Sequence, residues 1–240
     1  MAEKPELPLE ERILNLFRTL GIDRAHIAGR GPRDWSGLLS NYPDAVLSLT
    51  LLCQGGVASR QVKGLGSRLL LLSGDHGDVF ESLKKPLESL PEAQTVFLSD
   101  YDPLGWSDVC LDRPDEIGTP MLDFLDGFPQ EPMKPPESVK GEVDGISYRI
   151  RGTGPPLILF PLFLAPSQWE PLIPRLSEQY TTITLGGDEL GVVYVLEARG
   201  QTLGYRQLLN AMFEQLAIRP DDSLLEVGCG SGAVMRWLDE

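Results

Sequence analysis

The chain has 240 residues, a net charge of −14, 42% hydrophobic and 23% charged residues, the composition of a water-soluble globular protein long enough to bury a full core. Its acidity excludes a polyanion-binding surface, because nucleic-acid affinity rests on Lys and Arg displacing counterions, and it disfavours docking on anionic lipid. Cys53, Cys110 and Cys229 are widely spaced with no CxxC pair, so no metal site and no disulfide framework are expected; with neither a signal-peptide apolar region nor a run long enough to span a membrane, the expected location is cytoplasmic.

Residues 7–21 place Leu9, Ile13, Leu16, Phe17 and Leu20 on one helical stripe that Gly21 stops. "RAHIAGRG" follows as a strand, and a second helix starts near Trp35 and ends before Pro43. The continuous apolar runs 46–52 and 67–74 predict strands buried on both faces. "VFESLKKPLESL" predicts a helix broken or kinked by Pro86, "AQTVFLSD" a strand, and "RPDEIGTPMLDFLDGF" a helix that Pro120 splits or delays. This alternation implies a parallel α/β sheet covered on both faces. The stretch 127–141 holds four prolines and reads as a linker, its centre at 131–141. After it the pattern restarts. "GISYRIRGTGPP" predicts a hairpin-like edge, "LILFPLF" a buried strand, "SQWEPLIPRLSEQY" a short helix and "TTITLGG" a strand. Leu208, Leu209, Met212, Phe213 and Leu216 then mark an amphipathic helix that leads into a closing strand at Leu224 and Leu225.

The first block, about residues 8–127, resembles the second half of an α/β-hydrolase. "AHIAGRGPRDWSGLLSNYPDAVLSLTLL" is similar to the region of its nucleophile elbow, "RLLLLSGDHGD" to the strand and loop that carry its acid, and "VFLSDYDPLGWSDVCLDRPDEIGTPMLDFL" to the segment that carries its histidine. The second block, "GISYRIRGTGPPLILFPLFLAPSQWEPLIPRLSEQYTTITLGG", resembles the opening of the same fold. The resemblance therefore implies a three-layer α/β/α sandwich with a mostly parallel sheet, its halves in permuted order. Strand 157–161 is expected parallel to 25–29, with 182–185 beyond it and 47–52, 68–73 and 94–98 on the other side. The halves close within one chain or exchange between two, as a domain-swapped homodimer.

Acyl transfer on such a fold requires a nucleophile on a tight elbow, a histidine, an acid and backbone donors for an oxyanion. The elbow "GRGPR" puts Gly31 in the nucleophile's place; Asp34 and Ser36 beside it lack small neighbours. The histidine position falls on Ser107, the acid position on Gly77 with Asp78 one residue late, and the oxyanion-loop positions on Pro161 and Leu162. Of the two histidines, His26 reads as a structural residue of a buried strand. His76 and Asp78 remain the only catalytic candidates, in a polar loop. Trp106 and Cys110, beside Asp108 and Asp112, read as a packed loop, and Cys110 shows no neighbour that would activate it.

"LLEVGCGSG" resembles the first motif of class I S-adenosylmethionine-dependent methyltransferases. The resemblance implies that Gly228 and Gly230 let the backbone approach the cofactor, that Gly232 lets helix pack on strand, and that Glu226 meets the cofactor's amino-acid group. Such a fold needs an acid roughly 20 residues further on for the ribose, and only eight residues follow Gly232. The organisation expected is thus 1–130 as the second hydrolase-like half, 131–141 as linker, 142–192 as the first half, and 193–240 as the truncated start of a Rossmann-like methyltransferase domain. The chain is expected to be a piece of a longer polypeptide: a catalytically inactive hydrolase-like module that meets a methyltransferase domain in cis or in trans. S-adenosylmethionine is expected to bind in the longer form and not tightly here. Methyltransferase activity of the longer protein, and an esterase-like hydrolase with an atypical site near His76, are the alternatives.

Overall fold

In the computed structural model, residues 7–30, 35–104, 107–216, 218–219, 222–225, 227, 230, 232 and 234–236 are described. Two compact units are present, Met1–Gly187 and Asp188–Glu240.

In the first unit, helix α1 (Leu9–Leu20) buries Ile13, Leu16 and Phe17 and ends at Gly21, whose φ of 66° suits a left-handed C-terminal cap. Strand β1 (Ala25–Gly29) follows, then the short helix α2 (Ser36–Asn41) and the fully buried strand β2 (Val46–Leu52). A single helical turn, α3 (Ser59–Val62), leads through a 3-10 stretch to β3 (Leu69–Gly74), also fully buried. Helix α4 (Gly77–Glu88) carries Pro86 in its last turn, and β4 (Gln94–Leu98) ends the first run of strands. The turn α5 (Val109–Asp112) precedes α6 (Pro114–Asp126), which runs through Pro120 unbroken. The expected split does not occur; Ile117, Met121 and Leu125 form one fully buried stripe, and that packing outweighs one missing hydrogen bond.

The linker ends earlier than its composition suggests, because Lys140 already opens β5 (Lys140–Val143). β5 returns as β6 (Ile146–Arg151) through Asp144 and Gly145, with φ of 48° and 74°, the left-handed pair of a two-residue hairpin turn. After β7 (Pro156–Leu159), the expected single helix is replaced by a 3-10 turn at Pro166–Trp169 and one turn of helix, α7 (Ile173–Leu176). Pro171 and Pro174 lack the N–H groups a continuous helix would need there. β8 (Thr181–Gly186) closes the unit.

Among the described residues eight strands join one sheet in the order β4-β3-β2-β1-β7-β8-β6-β5. The pairs are parallel except those of β6, which runs antiparallel to β8 and to β5. The expected junction is present: His26, Ile27 and Ala28 pair with Leu157, Ile158 and Leu159 within the same chain. Helices flank the sheet. One face is a single apolar cluster in which Ala28, Leu52, Leu72, Leu157 and Leu159 meet Ile117, Met121, Leu125, Trp169, Leu172 and Leu176. Beyond the sheet pairing, α1 ties the two blocks together. The buried Arg12 donates through Nε to the Asp144 carbonyl at 2.7 Å, and Asn15 donates to the Asp144 carboxylate at 2.7 Å. Arg12→Ala is expected to lower stability by about 1–3 kcal/mol, the cost of losing a charge-assisted hydrogen bond and the packing of a buried side chain; an unchanged urea midpoint would show that the hairpin needs no such tie.

The second unit contains a 3-10 turn at Asp188–Leu190, α8 (Val192–Gly200) and α9 (Leu203–Leu216). Sequence periodicity does not mark α8, whose apolar residues are consecutive rather than spaced. The expected closing strand is not formed: Leu224 and Leu225 lie in irregular, exposed backbone, Leu225 at 85% exposure. A strand is held by its ladder, and no neighbouring strand pairs with this segment among the described residues. Among the described residues, no helix is long and apolar enough to cross a membrane.

Candidate functional site

Between β1 and β7 the sheet changes direction of growth. β2, β3 and β4 follow β1 to one side, while β8 follows β7 to the other. Segments leaving the carboxyl ends of β1 and β7 therefore diverge, and in open α/β sheets this divergence is where ligands bind. Here Gly29 and Phe160 lie close: a Cβ on Gly29 would come within 3.0 Å of the Phe160 Cβ, so a larger residue there would need Phe160 to shift. Trp35 packs edge-on against Phe160, ring centroids 5.3 Å apart.

On the β7 side the loop is held from within. Phe163 has a φ of 99°, a left-handed conformation unfavourable for a bulky side chain. Gln168 compensates by accepting the N–H groups of Leu164 and Ala165 on Oε1, at 2.9 and 3.4 Å. Trp169 donates from Nε1 to the Phe160 carbonyl at 2.7 Å. Of the two expected oxyanion positions Pro161 has no N–H, and further along the loop Gln168 engages the amides of Leu164 and Ala165.

On the β1 side stands Arg30, only 4% exposed. Its Nη groups donate to the carbonyls of Leu104, at 2.7 Å, and Ser107, at 3.3 Å, in the loop after β4. Ser107, at the expected histidine position, thus contributes its main chain. Cys53 and Cys110 are buried in the apolar cluster at this end of the sheet. Burial pushes the Cys53 thiol up to about 11 despite the attraction of Arg30, and it pushes the Cys110 thiol up further. Both remain protonated, which makes them poor nucleophiles. Asp108 has one buried carboxylate oxygen without a partner, and burial raises its proton affinity.

His76 caps the loop after β3, half-exposed, with Nδ1 2.6 Å from Asp75 Oδ1. Asp75 also accepts the N–H groups of Asp100 and Tyr101, at 3.0 and 3.2 Å. The bond to His76 and these two amides hold its carboxyl down at about 2, and the same bond raises the pKa of His76. The partner of His76 is therefore Asp75 rather than Asp78, which sits in the first turn of α4. Among the described residues His76 bonds no serine, threonine or cysteine. A cleft of about 580 Å³ also lies between α3 and the end of α4, lined by Val57, Arg60, Lys85 and Pro86 among others; none of its polar side chains is buried.

A serine and a histidine do meet elsewhere. His26 Nδ1 and Ser48 Oγ lie 2.7 Å apart between β1 and β2, sealed inside the sheet beneath the ring of Tyr180. Burial lowers the His26 pKa to about 4, helped by Arg24 and opposed by Asp126. With both residues buried, this pair is structural.

Of the cofactor positions expected from the sequence, Glu226 and Gly228 lie outside the described residues, as do Gly31, Asp34 and Trp106. Gly230 and Gly232 have φ of 56° and 76°, the left-handed turns that glycine permits. A Cβ on Gly230 would meet Leu196 of α8 at 2.7 Å, and Arg236 pairs with Glu197 of the same helix. Sequence reading passed over Arg30 and Gln168. The only available signal for Arg30 was a lone cation at the end of a buried apolar strand. No protein-family model matches the chain, and no curated protein matches it significantly.

Proposed function

We propose that this chain is a catalytically silent module of α/β-hydrolase type, its halves in permuted order, attached to the first cofactor-binding segment of an S-adenosylmethionine-dependent methyltransferase. The strand order supports the hydrolase reading, since the strands of the second block complete the sheet of the first at the expected edge. One observation carries the silent reading above the others. Among the described residues the exposed His76 bonds no serine, threonine or cysteine, and of the expected oxyanion positions Pro161 has no N–H to offer. Acyl transfer needs a hydroxyl or thiol beside the base and a pair of backbone donors for the oxyanion, and among the described residues His76 has no such nucleophile within bonding reach. The methyltransferase reading rests on the motif together with the left-handed Gly230 and Gly232; in that reading Glu226, Gly228, Gly230 and Gly232 hold the methionine end of the cofactor, and a partner domain in cis or in trans supplies the rest.

Two measurements test the two parts. Across a series of p-nitrophenyl esters the chain is expected to show no turnover above its His76→Ala variant. Turnover that this substitution abolishes would establish instead an esterase with an unorthodox site. Calorimetric titration with S-adenosylmethionine is expected to give binding weaker than about 1 mM, less than 4 kcal/mol of affinity. Micromolar binding would mean that the segment is a complete site.

A further inference from the structure

The sheet ends in two unlike edges. At one, β5 carries Lys140 and Glu142 among its four residues, all but Val143 exposed; charged side chains on a short outer strand keep other chains off it. At the other, β4 pairs in regular register with β3, from Gln94 opposite Leu70 to Leu98 opposite Gly74, and with no other strand among the described residues. The stretch 93–99, "AQTVFLS", holds no charge and no proline, and its register is unbroken by a bulge. The usual devices that shield an edge strand are therefore missing from it. Burial falls from every residue of β3 to Leu98 alone in β4, and among the described residues nothing beyond β3 hydrogen-bonds to the backbone of 94–98. One neighbour satisfies one side of a strand, so the remaining N–H and C=O groups of β4 point outward. Their chemical complement is another extended strand. The side chains agree. Leu98 and Val96 turn toward the apolar cluster on one face. Phe97, 42% exposed, turns to the other, where its ring meets Phe80 of α4 edge-on, centroids 5.4 Å apart.

We propose that β4 is a homodimer interface, pairing antiparallel with β4 of a second copy about a two-fold axis normal to the sheet. Charge selects that occupant. Two copies of a chain with a net charge of −14 repel each other, and they meet at least cost along a stretch that carries no charge. Glu92 and Asp100 bound that stretch and limit the ladder to it. The strand is also complementary to itself. With the axis at Val96, Phe97 lies opposite the second copy's Thr95, an aromatic on a β-branched residue, which is a favourable cross-strand pair. Such an axis keeps each face of the sheet on its own side, so the Phe97 and Phe80 rings of both copies fall on one side of the extended sheet. The contact closes at two chains, because it uses both β4 edges and leaves the charged β5 edges outermost. No exchange of halves is involved, since β1 and β7 already pair within each chain. The proposal goes beyond the reading of the module as silent and does not depend on it.

Sedimentation of the full chain across a dilution series is expected to pass from two chains to one. Phe97→Lys, which sets a cation on the edge at an already exposed position, is expected to weaken the association by about tenfold or more. In parallel, amide hydrogen exchange within 94–98 of the wild-type chain is expected to slow as the dimer forms. That second readout decides the matter if Phe97→Lys does not fold. A single chain at every concentration, an association that Phe97→Lys leaves unchanged, or a dimer in which 94–98 exchanges as fast as in the monomer overturns the proposal. Protection gained along α9 instead, where Leu208, Met212 and Leu216 are exposed, would overturn it and assign the contact to that helix.

Discussion

Replacement of Trp169 by alanine is expected to cost about 3–5 kcal/mol of folding free energy, among the largest losses available to a single substitution. Trp169 is fully buried in the cluster formed with Leu157, Leu159, Leu172 and Leu176. It also supplies the hydrogen bond to the carbonyl of Phe160, the residue that leaves β7 toward the crevice. Alanine would open a cavity and strand that carbonyl. Trp169→Phe separates the two effects: it fills most of the volume and lacks the donor, so its loss is expected nearer about 1–2 kcal/mol. Read in melting temperature, the alanine variant falls by roughly 8–16 °C. A change of less than a few degrees would mean that neighbouring leucines close the hole, and that the Phe160 carbonyl finds another donor.

The second large effect is a dependence on acid. In the native protein His26 protonates near pH 4, whereas in the unfolded chain it does so near its ordinary value of 6.5. Between those values the unfolded state holds the extra proton. Stability contributed by the neutral ring is therefore complete above about pH 6.5, declines as pH falls, and is gone below about pH 4. The difference corresponds to about 3 kcal/mol. Urea midpoints taken from pH 7 to pH 4 should fall with that slope. In His26→Gln, which leaves Ser48 a polar neighbour but no titrating ring, the part of the slope due to this residue disappears. An identical pH profile in the variant would assign the acid sensitivity to carboxylates such as Glu170, whose pKa its ion pair with Arg151 lowers.

Much of the fold was legible in the chain itself. Runs such as 46–52 and 69–74, mostly apolar at consecutive positions, read as strands covered on both faces, and both lie inside the sheet, fully buried. The resemblance of the two blocks to the halves of one fold implied β7 beside β1, and the two pair in parallel within the chain. Local chemistry was also enough for the Gly21 cap, whereas the segment after β7, expected as one short helix, is divided at its prolines.

Only the tertiary structure decided what depends on neighbours distant in sequence. Pro120 looked like a break, yet the burial of Ile117, Met121 and Leu125 holds α6 in one piece. Leu224 and Leu225 looked like a strand, yet without an adjacent strand their backbone has no ladder to join. His76 could not be matched to Asp75 rather than Asp78 from spacing, since the turn of the loop selects the partner. Nor does the sequence tell that Arg30 is buried, or that its partners are the carbonyls of Leu104 and Ser107, more than seventy residues away. Periodicity reports which face of an element meets the core. Which partners a buried charge finds is settled by what other elements bring to it.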